Sequence, residues 1–154
     1  MKIIKKLLLI ALALLLMLSA FSGCAKREAA DVHVFYYTYS DPYISTVRAA
    51  LDKALDGAAV TYQDHDGNNN QTTQTEQVQT AITKGAKLLV VNIVTTGSDD
   101  AASGIVSLAK DAGIPLIFFN REISDSIVKS YDKCAYIGTD ASESGKLQGD
   151  MIGD

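Results

Sequence analysis

The chain has 154 residues, 47% of them hydrophobic, and 14 Lys+Arg against 18 Asp+Glu give it a formal net charge of −4. That length suits one domain of ordinary size, and the mild acidity argues against a nucleic-acid binder, which would show a basic patch or stripe. Two Cys and two His are too few well-spaced ligands for a Cys/His zinc site, and 11 Gly with 2 Pro exclude a collagenous or Pro/Gly-rich disordered chain.

Lys2, Lys5 and Lys6 form a basic start, and Leu7 to Phe21 is a run of 15 residues in which Ser19 alone is polar. A membrane-spanning helix wants about 20 apolar residues. A basic start, a short apolar core and small residues at its end instead read as a signal peptide over residues 1–23; a retained anchor helix is the alternative. The segment Phe21-Ser22-Gly23-Cys24 resembles the bacterial lipobox, with Phe21 where Leu is usual. It implies that Cys24 is lipidated, with more than one acyl chain, as stable membrane attachment requires. Residues 24–31 are then a tether and residues 32–154 the folded lobe. After loss of residues 1–23 the chain keeps 11 basic and 18 acidic residues, a net charge of −7. Cys134, the other thiol, sits beside Ala135-Tyr136-Ile137 and is expected to be buried and inert.

Val32 to Tyr37 is a β-rich run, predicting a strand. Asp41 or Ser40 can cap a following helix with Pro42 at its first position, and Ile44, Val47, Ala50, Leu51, Ala54 and Leu55 recur at helical spacing. Gly57 is expected to stop that helix. Ala59 to Gln63 predicts a second strand, followed by a polar turn over Asp64 to Asn70. There Asp64, Asp66 and Asn68 are read as turn formers, and His65 has no evident partner. A polar helix is predicted over Thr72 to Lys84, with Val78 and Ile82 inward and Gly85 just past its end. Leu88 to Ile93 is a continuous apolar strand, expected to be buried on both faces. Ser98 can cap the next helix, with Ile105, Val106, Leu108 and Ala109 as its stripe, and Asp99 and Asp100 suit its N-terminal end. Pro115 to Phe119 and Cys134 to Ile137 are two more strands, with one short helical turn between them. A last helix begins near Asp140.

Two of these units repeat, since Gly85 and Gly113 each precede an Asn, Asn92 or Asn120, by seven residues. Strands alternating with helices predict an α/β fold with a doubly wound parallel sheet. In such sheets ligands bind beyond the carboxyl ends of the strands. Those ends carry Tyr39, Asp41 and Tyr43, then Asp64 and Asp66, then Asn92, then Asn120, Arg121 and Glu122, and finally Thr139 and Asp140. Carboxylates accept hydrogen bonds, amides donate and accept, and a phenol face packs on the C–H face of a pyranose. The pattern fits a polyol or sugar better than a phosphate.

Sharper motifs fail. Gly138 to Lys146 has six residues between its glycines where a phosphate loop has four, and Leu147 follows the Lys. No GxGxxG or GxSxG occurs. A receiver domain needs an acceptor Asp where Asn92 stands. His33, inside the first strand, reads as a core or edge histidine.

Tyr37-Thr38-Tyr39-Ser40-Asp41-Pro42-Tyr43, Phe118-Phe119-Asn120-Arg121-Glu122, Ser130-Tyr131-Asp132-Lys133 and Gly138-Thr139-Asp140 with Gln148-Gly149-Asp150 resemble the galactose/glucose-binding branch of the type I periplasmic binding proteins. These are the substrate receptors of sugar ABC transporters. The resemblance covers nearly all of residues 32–154 and implies the N-terminal one of two lobes, with a hexose bound between them and no chemistry performed on it. The chain is read as a fragment of such a protein. The resemblance assigns sugar contacts to Asp41, Tyr43 and Asn120, and Asn92 and Arg121 stand next in line behind them. Pro42 replaces the family's usual Asn, and Tyr43 its usual Phe. The remaining sugar ligands and the family's calcium loop belong to the second lobe, so neither metal nor cofactor is expected here. The implied partners are a hexose, an ABC transporter permease, a chemotaxis receptor and, through Cys24, the outer face of a bacterial membrane, with no nucleic acid.

Three other functions compete. A carbohydrate hydrolase could use Asp41 with Glu122 as paired carboxylates. A receptor for another sugar, such as ribose, would share the fold. A transcription regulator of the related repressor family would need a helix-turn-helix where this chain has its apolar leader.

Overall fold

The computed structural model describes residues 30–139 and 141–153. The expected leader, Cys24 and most of the expected tether lie outside the described residues, as does Asp140, near which the last helix was expected to begin. Five parallel strands, β1 (Val32–Tyr36), β2 (Tyr62–Asp66), β3 (Leu88–Val91), β4 (Leu116–Phe119) and β5 (Cys134–Ile137), pair in the order β2-β1-β3-β4-β5. Helices α1 (Pro42–Gly57), α2 (Gln71–Thr83), α3 (Asp100–Ala112), α4 (Asp125–Val128) and α5 (Ala141–Gly153) alternate with them. The doubly wound parallel fold is therefore as predicted. The order reverses direction between β1 and β3, which places the crevice of an open α/β sheet at their carboxyl ends.

Side-chain alternation along the strands divides the core into two layers. Phe35, Leu89, Val91, Leu116 and Phe118 are buried with Val78 and Ala81 of α2 and with Ala102, Ile105, Val106 and Ala109 of α3. On the other face, Val32, Val34 and Tyr36 pack with Ile44 of α1, and Leu51 and Leu55 of α1, Leu88, Val90 and Phe119 lie half-buried against them. Strand β3 is thus fully covered on one face only, contrary to the expectation that both would be buried.

Local signals place several boundaries. Asp41 caps α1 by accepting a hydrogen bond from Ile44 N at 2.9 Å, with Pro42 at the first helical position. Gly85 and Gly113 take φ of +91° and +69° just past α2 and α3, as the C-terminal motif requires.

Four expectations need correction. The left-handed residue after α1 is Ala59, with φ +54°, and Gly57 is still helical. Strand β2 starts three residues later than predicted, with Tyr62 opposite Val32 and Asp66 opposite Tyr36. Asp64 is therefore a strand residue, not a turn former, and His65 lies in the strand with a partner rather than in a loop without one. Ser98 does not cap α3; Asp99 holds that position without a capping bond, and its carboxylate accepts instead from Ser124 Oγ at 2.9 Å. Cys134 is half-buried rather than buried, though burial still raises its thiol pKa.

Candidate functional site

The site is assembled by the loops that leave β1, β3 and β4. After Tyr36 the chain turns outward, and the loop after β2 folds back against it. Gly67 N donates to Tyr36 O and Asn69 N to Tyr37 O, both at 2.8 Å. A Cβ on Gly67 would stand 2.9 Å from Tyr36 O and from Val94 Cγ2, so only glycine permits this closure. Asp66 ends β2 and ties the same loops together, its Oδ1 accepting from Asn68 N at 2.8 Å and Tyr39 N at 3.1 Å.

On this support Asp41 accepts from Tyr37 Oη at 2.5 Å as well as from Ile44 N. The Tyr37 hydroxyl, then the Ile44 amide, hold the Asp41 carboxyl below the ordinary carboxylate range. It is a charged acceptor at neutral pH, while the Tyr37 hydroxyl, raised chiefly by that same bond, stays a donor. The Arg121 guanidinium lies 3.5 Å from the centre of the Tyr37 ring. Its Nη1 donates to Ile93 O at 3.2 Å and to Val94 O. Arg121 thereby joins the ends of β3 and β4 to the loop that carries Asp41. Tyr43, in the first turn of α1, is 62% exposed.

The two repeated asparagines meet. Asn92, fully buried, donates through Nδ2 to Asn120 Oδ1 at 3.0 Å. Asn120 has φ +64°, and its carbonyl accepts from Tyr136 Oη at 3.1 Å. With its Oδ1 engaged, Asn120 keeps its Nδ2 donor for another acceptor. Behind this pair Gln74 of α2 is buried, donating to Asn92 O at 2.9 Å and accepting from Val94 N at 3.1 Å. The loops after β1, β3 and β4 therefore present a charged acceptor, an amide donor, an exposed aromatic ring and a fixed guanidinium.

Of the residues singled out from the sequence, Asp41 and Arg121 both engage Tyr37, and Asn92 and Asn120 bond to each other. Glu122 belongs elsewhere. It lines a cavity of about 300 Å³ with Thr95, Thr96, Ser98 and Asp99, and Asp41 is not part of that lining. A hydrolase pairs one protonated and one ionised carboxyl across the scissile bond, and Asp41, with its pKa lowered, fits only the ionised member. Among the described residues no cluster of three or more His, Cys, Asp and Glu could hold a metal ion. Sequence reasoning passed over Tyr37 and Gln74 as site residues. The i, i+4, i+7 spacing of Gln74, Val78 and Ala81 was the available signal for the second.

Residues 32–154 match the model of the periplasmic binding protein domain. The chain belongs to the periplasmic binding protein family. Within that family it is 35% identical over 136 residues to the D-galactose/methyl-galactoside binding periplasmic protein MglB of Haemophilus influenzae, an alignment covering 86% of this chain and 40% of the relative. It is 27% identical over 115 residues to the ribose import binding protein RbsB of Escherichia coli, covering 75% and 36%. The Caulobacter myo-inositol binding protein bound to myo-inositol superposes with a TM-score of 0.69 at 21% identity, covering 85% of this chain and 42% of that one. A galactofuranose binding protein gives 0.68 at 20%, covering 79% and 39%. The chain thus spans about 40% of the length of the relatives it matches, and the two structural likenesses speak for the fold alone.

Proposed function

We propose that this chain is the N-terminal lobe of an extracytoplasmic sugar receptor of an ABC transporter, taking a galactose- or glucose-type hexose without chemical turnover. The observation that carries this reading is the strand-end grouping itself. An ionised Asp41 offers acceptors to sugar hydroxyls, the Asn120 amide offers a donor, and the exposed Tyr43 ring offers a face for the C–H side of a pyranose. The name of the galactoside-binding relative favours a hexose over ribose. In this reading a second lobe supplies the remaining contacts, and closure around the sugar presents a surface to the permease, a population shift driven by contacts made only when closed. The leader of residues 1–23 directs export, and a lipid on Cys24 holds the protein at the outer face of the membrane.

Calorimetric titration of the full natural reading frame, freed of the residues up to Cys24, tests the reading with galactose, glucose, ribose and arabinose. Galactose or glucose binding that is lost in Asp41→Ala supports it. Ribose binding alone moves the specificity, and unchanged hexose affinity in Asp41→Ala removes the site assignment. Mass spectrometry of the membrane-extracted protein, with Cys24→Ala as control, tests the anchor.

A further inference from the structure

The buried Asn92 side chain makes one hydrogen bond and leaves one atom unsatisfied. Asn92 follows β3 directly and is fully buried. Its backbone is fixed on both sides, N donating to Phe35 O at 2.7 Å and O accepting from Gln74 Nε2 at 2.9 Å. Nδ2 donates to Asn120 Oδ1 at 3.0 Å, while Oδ1 is buried without a partner. A buried acceptor without a partner lowers stability, and an apolar residue in this place would carry no such penalty. What distinguishes Asn92 from that apolar residue is its bond to Asn120.

Asn120 is the half-buried member of the pair. Its φ of +64° is a conformation that Asn tolerates better than most residues, and its carbonyl accepts from Tyr136 Oη at 3.1 Å. A side-chain amide has a donor end and an acceptor end, and turning the group over exchanges them. The Asn92 donor engages the acceptor end, so Nδ2 is the end left for a ligand. Arg121, the cation next in the chain, is engaged on Ile93 O and Val94 O.

We propose that Asn92 is a positioning residue that sets the hydrogen-bond sense of the ligand edge. It holds Asn120 as a donor, which meets an acceptor oxygen, a sugar hydroxyl or ring oxygen, and turns away an ammonium group in the same place. The inference rests on the reading of Asn120 as a sugar contact. Asp41, ionised, only accepts, so the edge pairs one donor and one acceptor, each of fixed sense.

The test uses the full natural reading frame, freed of the residues up to Cys24, with galactose as the probe. Asn92→Asp introduces a carboxyl that donates to Asn120 Oδ1 when protonated and only accepts when ionised. Ionisation should turn the Asn120 amide over and direct its Oδ1 at the ligand. Burial raises the titration of such a carboxyl. Calorimetry should therefore find galactose affinity in Asn92→Asp close to wild type at about pH 5 and about tenfold weaker than wild type at about pH 9. Asn92→Leu should be weaker at both. A ratio to wild type that is the same at both pH values in Asn92→Asp overturns the proposal, since a merely structural loss does not follow the charge. Hydrogen exchange of the assigned side-chain amides in the ligand-free wild-type protein needs neither a variant nor a bound sugar. The Asn92 amide protons should exchange slowly and those of Asn120 readily; slow exchange at Asn120 Nδ2 overturns the proposal. Failure of wild type to bind any hexose instead defeats the reading of the site, and the exchange pattern still decides which end of Asn120 is free.

Discussion

Replacing His65 by Gln should remove an acid sensitivity built into the α2 side of β2. His33 Nδ1 and His65 Nε2 lie 2.9 Å apart, and the His65 ring stacks on Phe35 with centroids 4.6 Å apart. One ring must donate and the other accept, so at least one of the two must stay neutral, and protonation of both breaks the contact. Burial, then the His33 charge and then Lys84, lower His65 to about 4 from its ordinary 6.5. A histidine lowered in the folded state leaves the unfolded chain binding more protons, so its contribution is present above the unfolded pKa and is lost as pH falls toward the folded one. The full shift corresponds to about 3.4 kcal/mol. About 3 kcal/mol of that is expressed by pH 4, and because His65 is only half-buried, solvent screening reduces it to about 1.5 kcal/mol. Urea unfolding should therefore find His65→Gln less stable than wild type at about pH 7, through the lost stack, with the gap closing by about 1.5 kcal/mol at about pH 4. A gap independent of pH would refute the reasoning, because it would mean that the pair takes up a proton as readily as the unfolded chain does.

Three further outcomes follow from the geometry. Asp41→Asn keeps the capping acceptor toward Ile44 N but loses the charge and the acceptor facing Tyr37 Oη; it should lower the melting temperature less than Asp41→Ala does and weaken hexose binding at least about tenfold. Tyr43→Ala removes a side chain that is 62% exposed, so thermal stability should hold while calorimetry shows hexose affinity reduced by about three- to tenfold. Gly67→Ala forces a Cβ to within 2.9 Å of Tyr36 O and Val94 Cγ2, and urea unfolding should register a loss of about 1–3 kcal/mol.

Apolar periodicity made most of the fold legible. It located four of the five strands to within two residues at either end, and the Gly-to-Asn spacing of the two repeats marked the asparagines that now bond across adjacent strands at 3.0 Å. It misplaced β2 because Tyr62-Gln63-Asp64-His65-Asp66 has one apolar residue, so the pattern that identifies a strand is absent. That segment is a strand through its backbone pairing with β1, and two of its polar side chains find partners outside it. His65 meets His33, and Asp66 accepts from Tyr39 N and Asn68 N. Tyr37 escaped notice for the same reason: Arg121, whose guanidinium covers its ring, lies far along the chain. Pairwise satisfaction of polar groups across such separations leaves no periodic trace in the sequence.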